Sequence, residues 1–265
     1  MTRHFAAFAS LVLLASCAAP GAAPSESLRA EMAPKGTLRA AVNFGNPSIA
    51  QRDPAGGDPR GVGPDLAREL ARRLGVPIHY VAYETAGKVA DDAQKDVWDV
   101  AFLAIDPQRA ATIAFSAAYV EIGGTYLVRA ASPLRRIDEF DRKEIRVAVA
   151  LGSGYDLYLS RTLKNAELVR TANSQLAVDR FLADRLDAVA GVRELLSRNA
   201  KADPGLRVID ENFMVIRQAA AVPKGHDAAA KYLGEFIEEA KASGFVADAV
   251  KRSGSTDATV APAAK

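Results

Sequence analysis

The run Val100 to Ile105 (VAFLAI) is apolar at every position, and it constrains the fold more than any other stretch. A strand with one wet face alternates polar and apolar residues, whereas an unbroken apolar run suits a strand covered on both faces. The run breaks at Asp106-Pro107. Asp106 can cap the turn that follows, and Pro107 fits a first helical position, where no N–H is needed. Arg109 then stands at a strand's carboxyl end, which is where open α/β sheets bind ligands. Its planar fork suits a carboxylate and stays charged at physiological pH. From position alone, a surface salt bridge is the plainer use of such an arginine.

Strand and helix signals alternate along the chain on both sides of this run. Leu38 to Asn43 reads as a strand, and Gly63-Pro64-Asp65 opens a helix with Leu66, Leu70 and Leu74 on one face and Gly75 at its end. Ile78 to Tyr83 is a second strand, Lys88 to Lys95 a helix, Val100 to Leu103 a third strand and Thr125 to Ala130 a fourth. A polar stretch, Ser132 to Lys143, precedes a second series of the same kind. There, Ile145 to Ala150 leads through Gly152-Ser153-Gly154 into a helix over Tyr155 to Leu163. Strands are expected at Glu167–Thr171, Ala188–Ala190, Leu206–Ile209 and Gln218–Val222, with helices at Ser174–Ala183, Val192–Arg198 and Asp227–Ala242. This alternation predicts an α/β protein of two lobes with largely parallel sheets. Residues 35–130 with 222–252 form the first lobe on this reading, and residues 131–221 the second.

The N-terminus reads as an export signal over residues 1–16. Arg3 supplies the positive start, and Phe5 to Ala15 is apolar but shorter than the roughly 20 residues that span a bilayer. Leu14-Ala15-Ser16-Cys17 resembles a bacterial lipobox, in which the chain is cut before the cysteine and the thiol is lipidated. Cys17 is the single cysteine of the sequence, so no intramolecular disulfide is expected. Acyl chains contributing about 0.8 kcal/mol per methylene would hold the protein at a membrane surface. Residues 17–34 then read as the lipidated cysteine and a flexible tether, and residues 253–265 as a disordered tail. A formal net charge of +2 with mixed signs gives no case for nucleic acid.

The ordered set Gly36-Thr37-Leu38-Arg39, Gly61-x-Gly-Pro-Asp65-Leu-Ala, Trp98-Asp99-Val100, Arg109 and Phe115-Ser116-x-x-Tyr119 resembles family 3 of the bacterial extracellular solute-binding proteins. These are receptors of polar amino acid ABC importers. The resemblance implies a type II periplasmic-binding-protein fold, in which two α/β lobes joined by two crossover strands close on a ligand. Here the crossovers are expected near Ala130 and near Ala219 to Val222. By position, Arg109 matches the arginine that clamps the ligand carboxylate. Ser153, Gly154 and Tyr155 match a turn that adds donors to it, in keeping with the affinity of helix starts for anions. Such a Gly-Ser-Gly turn is otherwise an ordinary tight loop. Phe44 and Asn46 match the wall over the ligand side chain. Tyr83 joins them or belongs to the core. The implied partners are a small carboxylate ligand, an ABC permease in the inner membrane and the membrane itself through Cys17, with the protein monomeric and periplasmic or otherwise extracytoplasmic.

This chain departs from the family pattern inside the expected site. Asn43 stands where an aspartate often follows the first strand. Val192, with Arg193 beside it, stands where an aspartate commonly meets the ligand ammonium. Phe102 and Ala104, flanking Leu103, replace small hydroxyl residues, and the loop from Asp99 to Arg109 is shortened. A buried ammonium without a carboxylate is costly. The ligand is therefore expected to be a carboxylate, not necessarily an α-amino acid, unless Glu84, Asp106 or Asp156 supplies the missing charge. Some relatives of the family are cyclohexadienyl dehydratases, so a prephenate dehydratase-like enzyme is one alternative and a sensing lobe for a protein partner another. Scarce histidines (His4, His79, His226) and the lack of a Cys/His cluster or phosphate loop favour a binding protein with no catalytic residues, metal or cofactor.

Overall fold

The computed structural model describes residues 25–264. The export signal, His4 and Cys17 lie outside the described residues. From Ser25, whose side chain caps it, the chain enters α1 (Glu26–Met32), then β1 (Leu38–Asn43), α2 (Val62–Leu74), β2 (Ile78–Tyr83), α3 (Ala86–Asp91) and β3 (Val100–Ala104). A 3₁₀ turn at Arg109–Ala111 leads into β4 (Ile113–Arg129). The second series is β5 (Arg146–Ala150), α4 (Gly154–Thr162), β6 (Glu167–Thr171), α5 (Ser174–Ala183), β7 (Ala188–Val192), α6 (Arg193–Ala202) and β8 (Leu206–Val208). The chain returns through β9 (Met214–Pro223) to α7 (Asp227–Ala242), α8 (Phe245–Ser253) and β10 (Thr259–Val260).

The strands follow the order β2-β1-β3-β9-β4-β7-β5-β6. β1 pairs in parallel with β2 and β3, and β5 pairs in parallel with β6 and β7, as strands joined by crossover helices must. β9 and β4 are the antiparallel exceptions. They pair with each other over most of their length, and β9 borders β3 while β4 borders β7. Leu66, Leu70 and Leu74 of α2 are fully buried in a core shared with β1, β3, α7 and α8, and Gly75 ends α2 in the left-handed conformation with its N–H on the carbonyls of Ala71 and Arg72. A separate core forms around Tyr126, Phe140, Val147, Val149 and Tyr155 in the second lobe.

The crossing between lobes lies upstream of the expected position. Tyr119 and Val120 belong to the first-lobe core, Ile122 and Tyr126 to the second, so β4 changes lobe at Glu121, opposite Arg217 of β9. The segment Ser116 to Gly124, with its serine, glutamate and paired glycines, reads locally as a break, but pairing with β9 makes it one continuous strand. Register shifts at Ala118 mark bulges there. Ser116 Oγ fills the gap by accepting from Ala220 N–H at 3.1 Å.

Both supposed flexible ends carry structure. Leu28 and Met32 of α1 pack into the first-lobe core, so the expected tether contains a docked helix. After α8 the tail runs back across the crossing. Ser255 Oγ donates to Glu194, Asp257 accepts from Gly123 N–H at 2.9 Å, and β10 pairs with Val120 and Glu121. The tail's small, polar, proline-containing composition predicts disorder, but this segment finds a strand edge of β4 to pair with.

Candidate functional site

A cavity of about 40 Å³ lies between the lobes, where the carboxyl ends of β1, β3 and β5 meet. Asn43, the last residue of β1, lines it, and its Oδ1 accepts from Gly45 N–H at 3.0 Å in a turn that turns the chain across the opening. Asn46 follows, buried at 9 % exposure, and its side-chain oxygen has no hydrogen-bond partner. Phe102, Leu103 and Ala104 enter from β3. From the second lobe come Ser153, Gly154 and Tyr155 at the start of α4, and Val192 at the end of β7.

Ser153 is the N-cap of α4, its Oγ accepting from Asp156 N–H at 3.0 Å. The first-turn N–H groups of Gly154 and Tyr155 are left, as at any helix start, without an intrahelical acceptor. The Tyr155 hydroxyl lies 3.0 Å from Ser174 Oγ, and Ser174 donates across the cleft to Gly45 O at 3.2 Å. Burial raises the Tyr155 hydroxyl pKa, with its hydrogen bonds to Ser174 and Ser153 opposing, so it stays protonated.

Three expected residues stand elsewhere. Phe44 faces a neighbouring groove beside Pro47 and Leu195, with the Arg52 guanidinium 4.1 Å from its ring centre. Tyr83 packs with Trp98 and Leu103 and donates to Asp92 at 2.9 Å, which makes it a core residue. Arg109 does not line the cavity either. The residue is 4 % exposed, and its guanidinium donates to Ala104 O at 2.9 Å and Gly152 O at 2.8 Å, while Nε has no partner. It thus ties the end of β3 to the turn before α4, one lobe to the other. Burial lowers its pKa to about 10, with Asp106 and Asp91 opposing, so it remains a cation at neutral pH.

The acids weighed as ammonium partners are engaged. Asp106 caps its turn through Gln108 N–H at 2.8 Å and pairs with Arg161 of the second lobe at 2.7 Å. Asp156 accepts from Gly152 N–H at 2.9 Å and from Arg170 at 3.0 Å. Glu84 reaches the cavity, but its side chain is 60 % exposed and pairs with Arg52. Arg193 donates to backbone carbonyls of Ile209, Asp210 and Glu211, away from the cleft. Among the described residues no arginine or lysine lines the cavity, and no cluster of His, Cys, Asp or Glu is placed to hold a metal.

Sequence reasoning passed over Ser174, Ile216 and Gln218, which also line the cavity. Gln218 carried a readable signal, a polar residue heading the apolar run Gln218 to Val222, and it is buried at 4 % exposure. Ser174 gave none, since its place depends on how the lobes close.

Solved structures resemble this chain at identities that speak to fold alone. The solute receptor for L-cysteine of Neisseria gonorrhoeae aligns with TM-score 0.75 and 20 % identity over 86 % of this chain and 93 % of its own. A mutant of ArgBP from T. maritima aligns with TM-score 0.73 and 23 % identity over 85 % of this chain and 98 % of its own. An ancestral amino acid-binding protein, described as a precursor of cyclohexadienyl dehydratase, aligns with TM-score 0.72 and 23 % identity over 86 % and 99 %. A comparison with curated protein sequences finds no match. With two α/β lobes, a pair of crossing strands and a cavity between them, and with residues 38–254 matched by the model of that family, the chain belongs to the bacterial extracellular solute-binding proteins, family 3.

Proposed function

We propose that this protein captures a small carboxylate-bearing solute, an amino acid or a related organic acid, and delivers it to an ABC importer. The carrying observation is the cavity itself, lined by β1 and β3 from one lobe and by the start of α4 from the other. Free N–H groups of Gly154 and Tyr155 and the positive end of α4 suit the carboxylate. Arg109 supports this arrangement from behind, its bond to Gly152 O holding the turn that precedes the helix. On this reading Arg109 positions the donors and does not touch the solute. Solved structures of this fold include a solute receptor for L-cysteine, an arginine-binding protein and the substrate binding protein of an amino acid ABC transporter, which supports this reading. A lipid on Cys17 would keep the protein at an extracytoplasmic membrane surface, close to its permease.

A thermal-shift screen of the purified mature protein against the common amino acids and their hydroxy- and oxo-acid counterparts tests this. Saturable stabilisation by at least one small carboxylate is expected, growing with ligand concentration as binding to the native state requires. Absence of stabilisation across the screen would refute the proposal. Release of phenylpyruvate from prephenate would point instead to the dehydratase alternative.

A further inference from the structure

We infer that Gln218 receives the α-ammonium of an amino-acid ligand, its side-chain oxygen accepting from the ammonium while the carboxylate sits on the start of α4. The inference rests on the proposed solute-binding role and narrows it to amino acids.

Gln218 is a polar side chain of the cavity wall that nothing in the fold occupies. It is buried at 4 % exposure and lines the cavity, and its carboxamide has no hydrogen-bond partner among the described residues. Unlike the oxygen of Asn46, which is sealed inside the wall, it reaches open space. The other polar groups of the lining are engaged. Asn43 accepts from Gly45 N–H, Thr85 from Lys88 N–H and Ser153 from Asp156 N–H, while the hydroxyls of Tyr155 and Ser174 meet each other. Glu84 pairs with Arg52 at the exposed mouth, and Arg109 occupies the carbonyl of Ala104. Buried polar groups are satisfied in nearly all folded proteins, so a free carboxamide facing a ligand cleft marks the place of a polar ligand group.

Strand register identifies that group. β9 pairs with β3 so that Gln218 stands opposite Ala104. Ala104 in turn lies against the start of α4, where a Cβ added to Gly154 would come within 3.0 Å of Ala104 Cβ. Gln218 is thus one strand, about 5 Å, from the residue packed on the carboxylate site. In an α-amino acid the ammonium is the polar group fixed beside the carboxylate, and side-chain groups lie further off. A carboxamide oxygen accepts a charge-assisted hydrogen bond from an ammonium. It carries no charge of its own, so the empty cleft holds no unpaired buried ion, as a carboxylate in this place would be.

Isothermal titration of the purified mature protein with each of the common amino acids finds the tightest binder. That amino acid is then compared with its deamino counterpart, the acid of the same skeleton with hydrogen in place of the amino group. Gln218→Leu keeps the volume and removes the acceptor. It is expected to weaken the amino acid at least about tenfold and to change the deamino acid less than about threefold. Its melting temperature without ligand should equal or exceed that of the unmodified protein, because no protein group loses a partner. Gln218→Glu should bind the amino acid at least as tightly as the unmodified protein does, and bind the deamino acid about tenfold or more weakly. Unchanged amino-acid affinity or a lowered melting temperature in Gln218→Leu, an equal loss of both acids in that variant, or weaker amino-acid binding in Gln218→Glu would overturn the inference. So would a deamino acid that binds the unmodified protein as tightly as the amino acid. Binding of hydroxy- or oxo-acids alone would overturn it while leaving the solute-binding role intact. Failure of every acid would remove both.

Discussion

At the scale of single residues, Arg109 separates position from contact. Its place after β3 is the place of a ligand clamp, yet its guanidinium is spent on the carbonyls of Ala104 and Gly152. Removing it leaves two buried acceptors without donors and an empty volume behind the cleft. Arg109→Ala is expected to lower unfolding stability by about 2–4 kcal/mol in urea denaturation. Arg109→Lys keeps the charge but not the fork that reaches two carbonyls, so it should recover only part of that loss. Full stability in Arg109→Lys would mean that charge alone matters. The sequence could place Arg109 at the site but could not say what its fork would hold, because Gly152 comes from the other lobe. Asn43, Asn46, Phe102, Leu103, Ala104, Ser153, Gly154, Tyr155 and Val192 do line the cavity. They sit on β3, at and just after the end of β1, at the start of α4 and at the end of β7, where local pattern fixes position. Phe44 and Tyr83 sit at such ends too, and their side chains turn to a groove and to the core.

At the scale of elements, α2 is stitched to α7 by charge. Glu69 accepts from Arg72 and Arg73, and Arg73 reaches Glu239 of α7. The hydrogen bond from Arg72 lowers the Glu69 pKa, against burial and with help from Arg73, from 4.5 to about 2. A depressed carboxylate pKa stabilises the fold above its unfolded value and loses that contribution as pH falls through the folded one. Thermal melts should therefore show Glu69→Gln less stable than the unmodified protein above pH 4.5, with the gap closing as pH approaches 2. A gap that persists unchanged into acid would point to a packing effect. The same scale explains what pattern reading recovered. β6, α5 and α7 have the expected boundaries, because their apolar spacing is local. β4 extends far beyond the expected Thr125–Ala130, since its first half is defined by pairing with β9. The tail depends likewise on an edge of β4. Deleting residues 255–265 removes β10 and the bond between Ser255 and Glu194. The shortened protein should melt at lower temperature and show a larger radius of gyration in solution scattering. Unchanged values in both would make the tail incidental to the crossing.

At the scale of the whole molecule, closure is a set of hydrogen bonds drawn from both lobes. Arg109 meets Gly152, Arg161 meets Asp106, Ser48 donates to Glu194 at 2.9 Å and Ser174 donates to Gly45. Behind them β4 and β9 cross as one antiparallel pair, with bulges at Ala118 that suit a bend. Hinged lobes of this kind answer a ligand only by its different affinity for open and closed forms. The groups that meet a solute must then be brought together by closure, as β3 of one lobe and α4 of the other are. A crystal structure of the protein with the tightest-binding acid of the screen tests this account most directly. The account predicts the acid in the cleft with its carboxylate on the N–H groups of Gly154 and Tyr155, and with Arg109 still on the carbonyls of Ala104 and Gly152. A carboxylate held directly by the Arg109 guanidinium, or a ligand bound outside the cleft, would contradict it.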